Sequence, residues 1–394
     1  MTRLIGRRTA RGVGVTVLGV AVGLAGLAAA AAAQAMTGPH ASAASAAAVP
    51  AGVKANSITW VSPAQGWVLG AAPCGRKTCS YVIGTTNGAK TWKLLSKVSA
   101  PIGTAGVLNP KPGITTIRFA TAKVGWIFGD RLFRTTNGGR SWASMPIPGK
   151  GKAVDSLAAN SARAYVVVTT CPWATFCYTP YTFWRTATLT STSWARISLT
   201  LPPSTGTDVA VHGKTVYLVD PEGGYAGAKN KFYASTDGLH FSARPVPCAA
   251  PWPMPLAVPT SATRVALLCV ANPGFGGADK SVYRSVNTGK TDTYAGTTGR
   301  GGIGASLAAS PSGNLAVASV SPYAASQLYI NDTLKTTWTM VIDKPNDGGA
   351  GWGDLTYVTN TEAWVIYGPP DGATDIGQLL VTRDGGHHWS AVRI

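Results

Sequence analysis

The strongest constraint on the fold is a short turn motif that returns along the chain. Its clearest copy is RTTNGGRSW, from Arg134 to Trp142. Asn followed by Gly between strand-like runs predicts a tight hairpin turn, because glycine tolerates positive φ and the Asn oxygen accepts hydrogen bonds from backbone N–H groups. Further copies, two of them weak, end near positions 92, 194, 241, 292, 338 and 389. A period of about 50 residues is typical of propeller repeats.

A second sequence element recurs in phase with the turn. An apolar run lies ahead of each turn, clearest as QGWVLG, VGWIFG and EAWVIYG, and each run follows another strand-like piece such as SITWVS. Each unit therefore contains four strands, with the repeated turn between the third and the fourth. Such units cannot bury both faces alone, and seven of them close a ring. We predict an all-β fold, a seven-bladed β-propeller of four-stranded antiparallel blades.

The repeat also predicts where the turns and their aromatic residues lie. The turns are expected to begin near residues 85, 135, 187, 235, 285, 331 and 382. The aromatic residues that end them are expected to pack in equivalent positions between or under blades; these are Trp92, Trp142, Trp194, Phe241, Trp338 and Trp389. Asn137, Asp237 and Asp384 are interpreted as caps of the turn rather than as site residues.

The turn resembles the Asp-box, also called the bacterial neuraminidase repeat. The residues of the second copy that fit this pattern are Thr135, Asn137, Gly139, Ser141 and Trp142. Elsewhere Ala89 replaces the glycine and Asp292 the tryptophan. The whole unit, over residues 56–394, is similar to the secreted propellers related to the photosystem II stability and assembly factor. The resemblance implies Asp-box turns between strands three and four. It implies no single function, because Asp-box propellers include sialidases, xyloglucan-cleaving enzymes, receptors and non-catalytic assembly factors.

The amino-terminal segment predicts export. Four arginines are followed by an uncharged stretch from Val13 to Ala33 and by the small-residue sequence AQA ending at Ala35, which is the order of a signal peptide. We predict a signal peptide over residues 1–35, with an uncleaved membrane anchor as the alternative. Residues 36–55 are predicted as an Ala/Ser/Pro-rich linker, and residues 56–394 as a single propeller domain. The protein is expected to be secreted or associated with the cell envelope, outside the cytoplasm.

The six cysteines agree with export because they form three close pairs in sequence. We predict the disulfides Cys74–Cys79, Cys171–Cys177 and Cys248–Cys269, as expected of an extracytoplasmic protein. Metal binding is the alternative, and it is disfavoured because the cysteine spacings are not those of zinc sites and histidine is scarce. No metal and no cofactor are expected.

The chain is strongly basic, with a net charge of +18. Without the four leader arginines, 30 basic residues face 16 acidic ones, so the net charge is still +14. This surplus favours an anionic partner, such as an envelope polymer, a glycan or a protein. Nucleic acid is disfavoured because the basic residues are interpreted as scattered through the blades and the protein is exported. We expect a monomer, with membrane association only if the leader is uncleaved.

The predicted ligand face consists of the loops between strands two and three and between blades. These loops do not repeat, and they carry cysteine pairs, aromatic residues and basic residues, which suit a binding surface. The alternative is that they plug the central opening of the ring. The candidate ligand-face residues are Arg76, Lys77, Arg131, Trp173, Phe176, Tyr178, Tyr181, Tyr225, Lys229, Phe275 and Lys280.

Catalytic residues are hard to find in the sequence. Resemblance to sialidases would imply a tyrosine partnered by a glutamate, and the only glutamates are Glu222 and Glu362. A xyloglucanase-like enzyme needs two facing carboxylates, for which Asp130, Asp220, Asp371 and Asp375 are candidates. We therefore predict no catalytic residues and a non-catalytic binding or assembly scaffold at the cell envelope. The alternative function is an extracellular glycoside hydrolase of sialidase-like or xyloglucanase-like type.

Overall fold

The computed structural model describes the chain from residue 48 onward with internal gaps. The described residues are 48–103, 111–170, 180–199, 201, 206–221, 230–249, 256–274, 277–301, 304–320, 325–332, 334–348, 350–369 and 376–394. All of them belong to one compact unit, Ala46–Ile394. In these ranges no helix has the length and apolar character needed to cross a membrane.

The described residues form seven four-stranded antiparallel sheets, each with its strands in chain order. Blade 1 contains β1 (Lys54–Trp60), β2 (Gly66–Cys74), β3 (Lys77–Thr85) and β4 (Lys93–Val98), and blade 2 contains β5 (Ile114–Phe119), β6 (Gly125–Gly129), β7 (Leu132–Thr135) and β8 (Ala143–Met145). Blade 3 contains β9 (Ala153–Ala159), β10 (Ala164–Thr169), β11 (Thr182–Thr186) and β12 (Trp194–Ile197), and blade 4 contains β13 (Asp208–His212), β14 (Thr215–Asp220), β15 (Lys231–Ser235) and β16 (Ser242–Ala243).

The remaining three blades have the same arrangement. Blade 5 contains β17 (Leu256–Pro259), β18 (Val265–Gly274), β19 (Gly277–Ser285) and β20 (Thr293–Gly301). Blade 6 contains β21 (Gly304–Ala309), β22 (Leu315–Val320), β23 (Ser326–Asn331) and β24 (Thr339–Lys344), and blade 7 contains β25 (Trp352–Tyr357), β26 (Ala363–Tyr367), β27 (Gln378–Thr382) and β28 (Ser390–Val392). The predicted seven-bladed β-propeller is confirmed.

The first strand of each blade is its innermost strand, because the first strands of successive blades contact one another around the ring. Antiparallel order then places the repeated turns, together with the turns between strands one and two, at one end of the ring. We call this the turn end. The loops between strands two and three and the connections between blades lie at the opposite end, which we call the loop end.

The repeated turns lie where the sequence predicts them. The third strands end at Thr85, Thr135, Thr186, Ser235, Ser285, Asn331 and Thr382, each within one residue of a predicted turn. In the clearest copy, the Thr135 hydroxyl accepts hydrogen bonds from the N–H groups of Asn137 (3.3 Å) and Gly139 (3.0 Å). Asn137 Oδ1 in turn accepts from the N–H of Ser141 (3.0 Å). These bonds confirm that Asn137 acts as a cap of the turn.

An apolar cluster fills each interface between neighbouring blades. The cluster between blades 1 and 2 joins Trp67 to Phe119, whose rings stack at 3.7 Å, with Trp142 packed against them. Trp194, Phe241, Trp338, Trp389 and Trp92 pack against the corresponding clusters at other interfaces. The aromatic residue that ends each of these turns therefore packs where its blade meets the preceding one, as predicted.

The ring closes between blades 7 and 1 through side chains. Every blade is built from consecutive strands, so no strand from the other end of the chain completes a blade. Trp60 stacks on Trp364 with 4.7 Å between ring centroids, within a cluster that also contains Ile58 and Ile366. The first strand begins at Lys54, two residues before the predicted start of the domain.

Two of the three predicted disulfides are present in the described residues. Cys74–Cys79 joins β2 to β3 near their hairpin, and Cys248–Cys269 joins the connection after β16 to β18. The predicted pair of Cys171 and Cys177 lies outside the described residues.

Candidate functional site

A cavity of about 650 Å³ is lined by the inner strands of the ring, and we call it the channel cavity. Its walls come from the innermost strands of several blades, including Arg118 of β5, Asp155 of β9, Asp208 of β13 and Ala305 of β21. Pro221, directly after the second strand of blade 4, shows that the cavity reaches toward the loop end.

A polar side chain occupies one repeated position on the inner strands. In six blades this side chain directly precedes a buried apolar residue of the first strand. The six polar residues are Ser57, Thr116, Ser156, Asp208, Ser306 and Asp354. The apolar residue packs into an interface between blades, while its polar neighbour points to the opposite face of the strand. Thr116, Ser156 and Asp208 of this set line the channel cavity.

Asp354 joins three blades at the closure of the ring. Its Oδ2 accepts hydrogen bonds from the hydroxyl of Ser57 and from the N–H of Ile58 (2.8 Å), both in blade 1. Its Oδ1 accepts from the guanidinium of Arg118 in blade 2 (2.6 Å). The Ser57 hydroxyl also accepts from the N–H of Ile117 (3.0 Å). One carboxylate therefore links the inner strands of blades 7, 1 and 2.

A similar set of bonds joins blades 3 and 4. Asp155 Oδ2 accepts from the N–H of Thr207 (2.9 Å), and Asp208 Oδ1 accepts from the hydroxyl of Ser156 (2.9 Å). The Ser156 hydroxyl accepts in turn from the N–H of Val209 (3.2 Å). Asp155 and Asp208 thus lie on adjacent inner strands, each bonded to the other blade.

Enclosure by the ring raises the pKa of both carboxyl groups. Loss of solvation raises the pKa of Asp155 to about 6, and the nearby negative charges of Asp208 and Asp220 act in the same direction. The Asp155 side chain still faces the channel, so a confined space rather than complete burial causes the shift. Loss of solvation also raises the pKa of Asp208, and the bond from Ser156 and the charge of Arg118 oppose that rise.

Arg118 is the cation of the channel cavity. Burial alone would lower the pKa of its guanidinium, but the Asp354 carboxylate outweighs that effect and raises the pKa. Its side chain is 37% exposed, so part of the guanidinium faces the cavity. Among the described lining residues, the cavity therefore presents two carboxyl groups and one guanidinium.

The sequence-predicted ligand residues fall into three groups. Arg76, Lys77 and Arg131 are exposed at the loop end, where the prediction places them. Tyr181 is buried in the cluster between blades 3 and 4. A third group of candidates lies outside the described residues: Trp173, Phe176, Tyr178, Tyr225, Lys229 and Phe275. Their common ligand surface therefore stays a prediction.

Lys280 lies in the interior instead of on the rim. Its side chain is 0% exposed, and its ammonium donates a hydrogen bond to the carbonyl of Ala278 (2.8 Å). Burial lowers the pKa of Lys280 to about 8, and the charge of Asp279 opposes the shift. β19 is long enough to carry this residue inside the blade, so the loop predicted around it is replaced by strand.

Among the described residues, none of the acids proposed from the sequence lines the channel cavity. Asp220 is buried and accepts from the hydroxyl of Thr207 (2.9 Å). Asp130 lies in the turn between β6 and β7, half-buried, and Asp371 and Asp375 lie outside the described residues. Glu362 Oε1 accepts from the indole of Trp364 (2.9 Å) at the turn end. Glu222 lies outside the described residues. Within the described ranges no cluster of three His, Cys, Asp or Glu residues is suited to a metal ion.

Sequence reasoning missed Arg118, Asp155, Asp208 and Asp354. For Asp208 and Asp354 a signal was present, because aligning the first strands of the repeats places a polar residue before the buried apolar one in six blades. Arg118 and Asp155 do not occupy that repeated position.

Comparison with known proteins supports the fold and no narrower assignment. No family model matches the chain, and no curated protein matches it. A solved structure of YCF48 bound to a D1 peptide has 14% sequence identity and a TM-score of 0.51, covering 84% of this chain and 93% of that chain. The chain therefore has the fold of a seven-bladed propeller of this kind, and the predicted resemblance in fold is confirmed.

Two further solved structures are more distant. YCF48 from Cyanidioschyzon merolae has 14% identity and a TM-score of 0.48, covering 86% of this chain and 97% of that chain. The GH74 xyloglucanase from Xanthomonas campestris has 12% identity and a TM-score of 0.34, covering 86% of this chain and 73% of that chain. At these identities the similarity concerns the fold alone.

Proposed function

We propose that this chain is an exported, non-catalytic binding scaffold of the cell envelope, with its ligand face at the loop end. The main support for this proposal is that the carboxylates of the inner strands form hydrogen bonds between blades. Asp155, Asp208 and Asp354 each accept hydrogen bonds from a neighbouring blade. A glycoside hydrolase needs a pair of carboxyl groups that act on the substrate, whereas these groups hold the inner strands together.

Two other observations support binding outside the cytoplasm. The Cys74–Cys79 disulfide braces the hairpin that presents Arg76 and Lys77 at the loop end, and disulfides persist in oxidising compartments. The structurally similar YCF48 was solved with a bound D1 peptide, so a propeller of this fold can hold a peptide partner.

Capture from the envelope of the producing cell tests the ligand face. The immobilised wild-type chain is compared with a Trp173→Ala, Tyr225→Ala double variant, which removes two sequence-predicted aromatic contacts. The control is a Leu239→Ala, Tyr294→Ala double variant, which removes exposed apolar side chains at or near the turn end. We expect the wild-type chain and the control variant to capture the same partners, and the Trp173→Ala, Tyr225→Ala variant to capture none of them. Equal recovery by all three proteins would contradict the proposed face.

A glycoside hydrolase is the second candidate, and one observation favours it. The pKa of Asp155 is raised to about 6 inside the channel cavity, next to Asp208. A general acid works best when its pKa lies near the working pH. If Asp155 has this role, Asp155→Asn abolishes turnover of a glycoside substrate while the folded structure is retained.

A further inference from the structure

Positive charge is concentrated on blades 1 and 2. Residues 48–152 contain 14 Lys and Arg and a single acidic residue, Asp130, whereas residues 153–394 contain 16 basic and 15 acidic residues. The first two blades therefore have a net charge of +13 and the other five +1. Basic residues occur in every blade, as the sequence analysis describes, but 15 of the 16 acidic residues that offset them lie beyond residue 152.

Most of these basic side chains are exposed. Those that are only half-buried are Lys54, Arg118 of the channel cavity, and Arg134, whose guanidinium donates to the carbonyl of Ser191 in the turn of blade 3 (2.8 Å). The exposed ones, which we call the basic sector, are Arg76, Lys77, Lys90, Lys93, Lys97, Lys111, Lys123, Arg131, Arg140, Lys150 and Lys152. Among the described residues, the sector residues other than Lys111 form no salt bridge.

The basic sector extends over both ends and the outer edge of the same two blades. At the loop end lie Arg76, Lys77, Arg131, Lys111, Lys150 and Lys152, in hairpins and in connections between blades. At the turn end lie Lys90, Lys123 and Arg140. Lys93 and Lys97 lie on β4, the outermost strand of blade 1. Positive charge therefore continues from one end of the ring, across its edge, to the other.

This distribution selects among anionic partners. A small anion cannot contact charges on both ends of the ring, and a flat membrane meets only one side at a time. Protein interfaces need apolar anchors, but every large apolar side chain exposed in the described residues lies beyond residue 152; they are Leu239, Val286, Tyr294, Leu334, Met340 and Ile376. Most of the sector residues are lysines. A lysine ammonium is a compact charge that binds an anion without the planar, two-point contact that an arginine guanidinium makes.

We propose that the basic sector binds a linear polyanion with repeating phosphate groups, which runs across the edge of blades 1 and 2. This inference rests on the proposed binding function and specifies its partner. A polymer follows the sector over its whole length, and each contact releases counterions, so binding weakens steeply as the salt concentration rises.

The test measures binding of long-chain inorganic polyphosphate to three forms of the full chain. The sector variant carries Lys77→Gln, Lys90→Gln, Lys93→Gln and Lys97→Gln. The control variant carries Lys214→Gln, Lys290→Gln, Lys335→Gln and Arg383→Gln, exposed positions on four other blades. Both variants lose the same net charge. Thermal unfolding of each variant confirms that it is folded.

We expect the sector variant to bind polyphosphate at least about tenfold more weakly than wild type at low salt, and the control to stay within about twofold. Equal weakening of both variants, or no binding by wild type, would overturn the inference. So would tighter binding to phosphatidylglycerol vesicles or to poly-glutamate at equal anion concentration. Recovery of shortened polyphosphate would instead contradict the non-catalytic function, so the two failures are distinguishable.

Discussion

At the scale of single residues, the repeated turn depends on one hydroxyl. The hydroxyls of Thr85, Thr135, Ser285 and Thr382 each accept a bond from the N–H four residues later. In the shorter copy the Ser235 hydroxyl accepts from the N–H three residues later. The following Asn or Asp then caps the rest of the turn, as Asp237 Oδ1 does for the N–H of His240 (2.9 Å). These bonds explain why the turn repeats without forming a site.

Replacing Thr135 by Val removes the hydroxyl and keeps the shape of the side chain. The buried N–H of Gly139 then loses its acceptor, so we expect a loss of about 1 to 3 kcal/mol in the free energy of unfolding. The matched control is Thr136→Val, at an exposed neighbouring position, where the change stays within about 0.5 kcal/mol. Urea unfolding measures both. Equal losses would show that the hydroxyl does not hold the turn.

Asp354 combines an unusual backbone with a central contact. Its φ is 47°, in the region that favours glycine, and the register of β25 against β26 shifts between Gly353 and Thr356. The irregular backbone places the carboxylate where Ser57, Ile58 and Arg118 donate to it. Strained positions of this kind persist when the surrounding structure needs them.

Two substitutions at Asp354 distinguish the contribution of its hydrogen bonds to stability from the cost of its backbone strain. Both Asp354→Ala and Asp354→Gly remove the carboxylate, and we expect each to destabilise the protein by about 2 kcal/mol through the lost bonds to blades 1 and 2. The Ala variant also pays for positive φ, so it should be less stable than the Gly variant by about 1 kcal/mol. Denaturant unfolding gives both values. If the Ala variant is as stable as the Gly variant, the positive φ of residue 354 costs no stability. If both variants are as stable as wild type, the hydrogen bonds of the Asp354 carboxylate do not stabilise the protein.

At the scale of elements, blade 5 departs from the repeat. Asp292 stands where the other clear copies have an aromatic residue. It is half-buried, its Oδ1 has no hydrogen-bond partner among the described residues, and loss of solvation raises its pKa to about 6. The interface between blades 4 and 5 therefore carries a poorly solvated carboxyl group instead of an aromatic ring.

The raised pKa of Asp292 predicts a pH-dependent stability. Between about pH 4 and 6 the folded chain keeps a proton that the unfolded chain has lost, so stability falls as pH rises through this range. Asp292→Asn removes the contribution of this residue to the pH dependence, and above about pH 6 the variant should be more stable than wild type by about 2 kcal/mol. Chemical unfolding at several pH values measures the difference. Asp343→Asn, at an exposed position, is the control. A difference that does not change with pH would contradict the prediction.

The positions of the strands and turns could be predicted from the sequence. A turn with Asn or Asp and Gly has strong local chemistry, so the ends of β7 at Thr135 and of β27 at Thr382 were located closely. Side-chain placement within long strands was less accessible. Lys280 was expected on a rim loop, but β19 extends through it and buries it. The axial bonds of Asp155 and Asp208 depend on which strands become neighbours, which local sequence does not encode.

At the scale of the whole molecule, the inner strands of the ring are joined by side-chain hydrogen bonds, and its surface charge is unevenly distributed among the blades. The inner strands of blades 7, 1 and 2 and of blades 3 and 4 are joined by carboxylates, and blades 1 and 2 carry nearly all of the excess positive charge. The structural bonds on the axis and the exposed basic sector support the proposed scaffold function.

The most direct test of this claim is a search for turnover with matched variants. Purified full chain, Asp155→Asn and Asp208→Asn are incubated between about pH 5 and 7 with fluorogenic glycosides and with envelope polymers of the producing cell. Released fluorophore and polymer length are measured. We predict no release above the level of the two variants and polymers of unchanged length. Release or shortening by wild type that is abolished by Asp155→Asn, with the fold retained, would contradict the binding scaffold and establish a hydrolase.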